Sequence, residues 1–158
     1  MSDDSSAPPP DRVERVSRVV PATPQQIFDL LADPRKHATF DGSGTVKQSN
    51  PDVPERLELG SKFGMSMKMG VPYKITNEVV EFDEPSLIAW RHMGGHIWRY
   101  RLDEVEGGTA VTEEFDWRPS KGPLVLKLMK TPQRNTKAMD ATLDRLVELF
   151  SASDDASQ

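Results

Sequence analysis

Four residues carry most of the chemistry this sequence can offer: His92, His96, Tyr100 and Glu113. His92 and His96 have the His-x-x-x-His spacing that can bind a metal, but they flank Gly94-Gly95 in AWRHMGGHIWRYRL (89–102). That stretch reads as a hairpin, and a metal would need a third and usually a fourth ligand. His37 is remote in sequence and Glu113 is expected opposite Tyr100, so no metal is expected. The histidines are read instead as a rim pair able to hydrogen-bond a ligand. Glu113 shares a strand face with Val111, Phe115 and Trp117 in DEVEGGTAVTEEFDW (103–117). The charged form of a carboxyl buried among aromatics is disfavoured unless Tyr100 or a histidine compensates, and such a group can act as general acid or base. The bland alternatives are a satisfied structural carboxylate, or a bulge that turns Glu113 outward. Glu113, His92 and Tyr100 are thus the catalytic candidates. No G-x-S-x-G nucleophile elbow is present, and MGGH and EGGT are hairpin turns with no following helix, so they are not phosphate cradles.

Positioning these residues is a question of register. A two-residue Gly-Gly loop would pair Met93 with His96 and put Trp90 opposite Arg99. A three-residue loop, Met93-Gly94-Gly95, pairs His92 with His96 and keeps Ile88 and Trp90 on the face of Trp98, Tyr100 and Leu102. The second register is expected, because a one-residue slip would send every apolar side chain to the other face. It also puts Gly95 at the left-handed position of the loop. Pairing Val111 near Leu102 then sets Glu113 opposite Tyr100 and Phe115 opposite Trp98. Glu114 and Asp116 point outward, as do Arg91, Arg99 and Arg101, whose expected role is to solvate that face or, failing that, to meet a partner.

Upstream, RVERVSRVV (12–20) reads as a first strand ended by Pro21. Thr23, Pro24 and Gln26 form a helix start with a capping box, and Ile27, Leu30 and Leu31 make one apolar stripe. Asp33-Pro34 breaks that helix and can cap a second short one through His37. GTVKQSN (44–50) is a modest strand, and 51–61 is loop. Phe63, Met65, Met67 and Met69 alternate with small or polar residues, so 62–69 is a strand with a soft apolar face. The next strand, 73–82, places Tyr73, Ile75, Asn77 and Val79 on one face. After residue 117 the pattern becomes helical, with Leu124, Leu128, Met139, Leu143, Leu146, Val147 and Phe150 at helical spacing. Pro132 should kink or split it.

The chain has 158 residues, with 20 basic and 25 acidic side chains and a net charge of −5. That size gives one domain with a sizeable core, and the charge argues against nucleic acid. With no cysteine there is no disulfide, thiolate metal site or cysteine nucleophile. The apolar runs are too short to span a bilayer, and MSDDSSAPPP lacks the pattern of a secretory signal. A cytoplasmic protein without integral membrane contact is expected. Residues 1–10 and 152–158 read as disordered tails around a domain at 11–151.

The segments VPATPQQIFDLLADP, VVEFDEPSLIAWR and GGTAVTEEFDW, with the amphipathic terminal helix, together resemble the START-like or helix-grip (SRPBCC) superfamily. That superfamily includes birch-pollen allergen-type proteins and bacterial polyketide cyclase/dehydrase-like proteins. The resemblance covers about residues 12–150. It implies an α+β fold in which a curved antiparallel sheet of about seven strands wraps a long C-terminal helix, with two short helices after the first strand. It also implies a cavity between sheet and helix for lipids, polyketides or other apolar molecules, without a universal catalytic set. The expected lining is Phe63, Met65, Met67, Met69, Tyr73, Ile75, Asn77, Trp90, His92, His96, Trp98, Tyr100, Glu113, Phe115, Trp117, Met129 and Met139. A methionine- and aromatic-rich wall with a few polar groups suits an irregular apolar ligand. Its mouth is expected at 37–44, 92–96 and the Pro132 break. The expected function is carriage or sensing of a small apolar or amphipathic molecule, with no cofactor. The alternatives are a cyclase, aromatase or dehydratase using Glu113 or His92, with Tyr100 orienting a carbonyl, and a protein-interaction module resembling a co-chaperone domain.

Overall fold

The computed structural model describes residues 12–42, 46–49, 53–69 and 71–156; for 46–49, 65–69, 71–74 and 153–156 the description is of the backbone. The expected tail at 1–10 lies outside these residues, while the last helix continues to Ala156, past the boundary expected at Ser151.

β1 (Val13–Val20) leads into α1 (Pro24–Leu31), a one-turn 3-10 helix (Pro34–Lys36) and α2 (His37–Phe40). The α1 capping box forms as the sequence requires: Thr23 accepts from the Gln26 backbone and Gln26 from the Thr23 backbone. Asp33 accepts from the Arg35 N–H at 3.0 Å and starts the next turn. The strands β2 (Val46–Ser49), β3 (Lys62–Met69), β4 (Val71–Asp83), β5 (Leu87–His92), β6 (Ile97–Val105) and β7 (Gly108–Asp116) follow. All pairings are antiparallel, in the order β1-β7-β6-β5-β4-β3-β2. Six strands are long; β2 is a four-residue edge. Bulges between Val46 and Gln48 and between Val79 and Glu81 interrupt the ladders and help the sheet curl. α3 (Pro123–Leu128) and the long α4 (Thr131–Ala156) close the fold, with α4 lying across β1 and β7. The α+β helix-grip architecture is therefore as expected.

The core lies between the sheet's concave face and the helices. Val20, Ile27, Phe28, Leu31, Ile88, Val111, Leu143 and Leu146 are fully buried in it. A smaller cluster joins Phe115, Trp117 and Met139.

Three expectations need correction. Leu124 and Leu128 do not continue the apolar stripe of α4, for they are 72% and 84% exposed. The cause is a break in the chain at Lys130, whose φ of 54° is left-handed, so α3 and α4 are separate helices with unrelated faces. Pro132 lies in the first turn of α4, where a missing N–H costs nothing. The outer arginine face is also not uniformly solvated. Arg99 is buried on it, and so are Glu114 and Asp116. The Arg99 guanidinium donates to Glu81 (Nε–Oε1, 3.1 Å) and Glu114 (Nη1–Oε2, 3.0 Å), and lies 3.5 Å from Asp116. Arg101 and Arg118, both half-exposed, bind Glu114 and Asp116 at 2.8 and 2.6 Å, and Arg15 Nε lies 3.5 Å from Glu114. Burial works to raise the Glu114 and Asp116 pKa values, but the arginine hydrogen bonds and charges outweigh it and hold both below the ordinary value. Finally, Met129 is 57% exposed at the end of α3 and does not face inward.

Candidate functional site

The hairpin 89–102 has the three-residue loop. The His92 N–H donates to the His96 carbonyl at 2.8 Å, and Trp90 pairs with Trp98. Gly95 has a φ of +100°, and a Cβ there would sit 2.5 Å from the Pro119 carbonyl oxygen, so both conformation and space require glycine. On the neighbouring ladder Leu102 pairs with Val111, Tyr100 with Glu113 and Trp98 with Phe115. No bulge intervenes, and Glu113 faces inward.

These registers build one wall of a partly open cavity of about 90 Å³. Ile75 and Asn77 from β4, Trp90 from β5, Trp98 and Tyr100 from β6 and Glu113 from β7 line it. His37, Phe40 and Asp41 line it from α2 and the residue after it. Tyr100 Oη donates to Glu113 Oε1 at 2.8 Å, and both residues are buried. Glu113 Oε2 has no hydrogen-bond partner among the described residues. Burial is the main reason the Glu113 pKa rises to about 8; the charge of Asp41 adds to it, and the Tyr100 hydrogen bond acts the other way. Glu113 is therefore mainly a neutral acid near pH 7. Since Oε1 accepts from Tyr100, the proton belongs on Oε2. The same burial, with the Glu113 charge, moves the Tyr100 phenol well above its ordinary value.

His37 was expected only within the mouth segment 37–44, not among the lining residues, yet it lines the cavity. Its ring stacks on Trp90 at 5.0 Å, and its Nε2 lies 2.8 Å from the Leu31 carbonyl, which makes Nε2 the donor and leaves Nδ1 as an acceptor. Burial pushes its pKa down to about 4, so it stays neutral. Phe40 packs edge-on to His37. Asp41 and Gly42 tie this segment to α4: the Arg145 guanidinium donates to the Asp41 carbonyl at 2.6 Å, and the Gly42 N–H donates to Thr142 Oγ1 at 2.8 Å. The available sequence signal was an aromatic at His37 and at Phe40, one helical turn apart after a helix break.

Of the other expected lining residues, Phe63 packs behind the wall, edge-on to Trp90 at 5.6 Å. Phe115 backs Trp98 at 4.9 Å. Trp117 and Met139 belong to the second core cluster, and Met129 is on the surface. The side chains of Met65, Met67, Met69 and Tyr73 lie outside the described residues.

His92 and His96 do become neighbours, stacked at 4.3 Å and nearly parallel, but neither lines the cavity. His92 Nδ1 accepts from the Gly94 N–H at 2.9 Å. Burial, then the charge of His92, lowers the His96 pKa to about 4, and burial also lowers that of His92. A neutral stacked pair locks the hairpin. Among the described residues no group of three or more His, Cys, Asp or Glu could hold a metal. Of the three segments expected at the mouth, 37–44 contributes to the cavity through His37, Phe40 and Asp41, while residues 43 and 44 lie outside the described residues. The 92–96 loop and Pro132 do not line it.

Residues 12–151 match the family model described as polyketide cyclase/dehydrase and lipid transport. The uncharacterized protein Rv0088 of Mycobacterium tuberculosis is 37% identical over 147 residues. That alignment takes in 89% of this chain and 65% of the relative, so the chain spans less than two thirds of the relative's length. Among solved structures, the fold is similar to that of an AHSA1-like protein from Aeromonas hydrophila (TM-score 0.66, 16% identity, 89% of this chain and 93% of that one). It is also similar to that of a Polyketide_cyc-like protein from Corynebacterium glutamicum (TM-score 0.58, 18% identity, 87% and 88%). At these identities the likeness is one of fold.

Proposed function

Because the chain belongs to the polyketide cyclase/dehydrase and lipid-transport family, we propose that it is a cytoplasmic protein that binds a small amphipathic molecule in the cavity beside Glu113. The observation that carries this reading is the Glu113 carboxyl. It lines an aromatic-walled cavity, one oxygen is held by Tyr100, and the other is buried without a hydrogen-bond partner among the described residues. A buried polar atom left unpaired costs roughly 1–3 kcal/mol, and a ligand oxygen accepting from it recovers that. Asn77, buried on the same wall, offers a second polar group. Trp90, Trp98 and Ile75 supply the apolar surface.

The size of the cavity narrows the ligand. At about 90 Å³ it is well below the roughly 300–1,000 Å³ of drug-sized sites. It takes the polar end of a molecule, and a larger body must extend past the wall or spread it.

Trp90 and Trp98 report on occupancy, so the test is quenching of intrinsic fluorescence by dodecanoic acid, naringenin and a tricyclic aromatic polyketide, with native mass spectrometry of the purified chain. Saturable quenching by one of them, or a co-purifying small molecule, is expected. Neither outcome appearing would remove the reading.

The cyclase or dehydratase reading is favoured by one feature. A carboxyl pKa of about 8 next to a tyrosine hydroxyl suits proton transfer near neutral pH. Glu113→Gln separates the two. A carrier keeps its probe affinity within a few-fold, with no reaction in the wild type to lose. An enzyme turns over the bound hydroxy-ketone or polyketide, and the variant binds it without reacting.

A further inference from the structure

We propose that the exposed face of α3 is a peripheral docking surface for an anionic lipid bilayer. Leu124, Val125, Leu128 and Met129 follow the i, i+1, i+4, i+5 spacing of one helical stripe, and their exposures are 72%, 57%, 84% and 57%. The opposite side, through Leu126, packs against the cluster of Phe115, Trp117 and Met139 and anchors the helix. α3 is thus held with its apolar side toward solvent, the reverse of what an amphipathic helix on a globular core does.

The charges around it identify the occupant. Residues 117–139 contain Arg118, Lys121, Lys127, Lys130, Arg134 and Lys137 and no aspartate or glutamate, in a chain of net charge −5. All six are exposed. Arg118 is engaged by Asp116. Lys127 lies beside Leu124, and Lys121 and Lys130 precede and follow the stripe in the chain; long lysine stems can lie along an apolar surface while the ammonium groups reach phosphate. Leucine and methionine ringed by lysines is the composition of an interfacial segment. Protein interfaces, in contrast, are depleted in lysine and enriched in aromatics, arginine and methionine, and of these the α3 stripe has only Met129. Beside the stripe lies a surface hollow formed by Arg12, Glu14, Trp117, Leu124, Lys127 and Pro132, cationic on balance. This face is separate from the cavity.

The test is flotation of the full chain with phosphatidylcholine vesicles, with and without roughly a third phosphatidylserine. Binding to the anionic vesicles that weakens with added salt is expected. Two double variants, Leu124→Ser with Leu128→Ser and Lys127→Glu with Lys130→Glu, should each weaken it by at least about tenfold. Their melting temperatures should stay near wild type because these side chains are exposed. The proposal is overturned by any of three results: no flotation, equal flotation on neutral vesicles, or flotation that survives both double variants. Self-association abolished by the leucine variant, without vesicle binding, would assign the face to a second copy and overturn it as well.

Discussion

Tyr100 and Glu113 face each other across β6 and β7, and the phenol donates to the carboxyl oxygen Oε1 at 2.8 Å inside the fold. The pair joins a structural requirement to a chemical one, since the same bond that satisfies one oxygen directs the acidic proton to the other.

Glu113 makes stability fall as pH rises. Its pKa goes from 4.5 in the free side chain to about 8 in the fold, so between those values the folded state holds a proton the unfolded state has lost. Its contribution is whole below about pH 4.5 and is withdrawn as pH rises through about 8, at up to about 1.4 kcal/mol per unit. Glu113→Gln, which cannot ionise, should gain on the wild type progressively from pH 5 to pH 9 in urea denaturation. A constant difference between the two proteins would show that Glu113 does not titrate there.

His37 and His96 impose the opposite slope at lower pH. Both drop from 6.5 to about 4, so the unfolded chain takes up protons first as pH falls, and stability declines from about pH 6.5 toward pH 4. The wild type should therefore be most stable between about pH 6 and 7. His37→Gln should flatten the acid limb relative to the wild type when melting temperature is followed against pH.

Tyr100→Phe removes the one donor to Glu113 among the described residues and, among them, leaves both carboxyl oxygens without a hydrogen-bond partner. A loss of about 1–3 kcal/mol is expected from the unpaired buried group. Because the hydrogen bond acts to lower the Glu113 pKa, the variant should titrate above the wild-type value in a carboxyl carbon NMR experiment. A shift downward would mean the phenol is not the donor.

Arg99 should be the most sensitive residue on the outer face. Arg99→Met leaves Glu114 and Asp116 buried with less of their compensating charge, for a cost of roughly 3–5 kcal/mol. Arg101→Met, on a half-exposed side chain of the same face, should cost no more than about 1 kcal/mol. Equal losses for the two variants, measured by denaturant titration, would contradict the buried network.

Everything governed by a local period was legible in the order of residues alone. Alternation along 97–102 and 111–117 decided which side chains turn inward, and the need to keep Trp90, Trp98 and Tyr100 on one face selected the hairpin loop and set Glu113 against Tyr100. Thr23, Pro24 and Gln26 likewise placed the start of α1 from capping chemistry alone. Other features depended on chain segments that no period connects. His37 and Phe40 reach the cavity because α2 folds over β5, some fifty positions away in the chain. Inward facing did not guarantee a place on the wall, since Phe115, Trp117 and Met139 fill space behind it. A charged strand residue reads as solvated until three dimensions bring Glu81, Glu114 and Asp116 around Arg99. The left-handed turn at Lys130 gave α3 a face independent of α4, and that single backbone angle decided whether Leu124 and Leu128 belong to the core or to the surface.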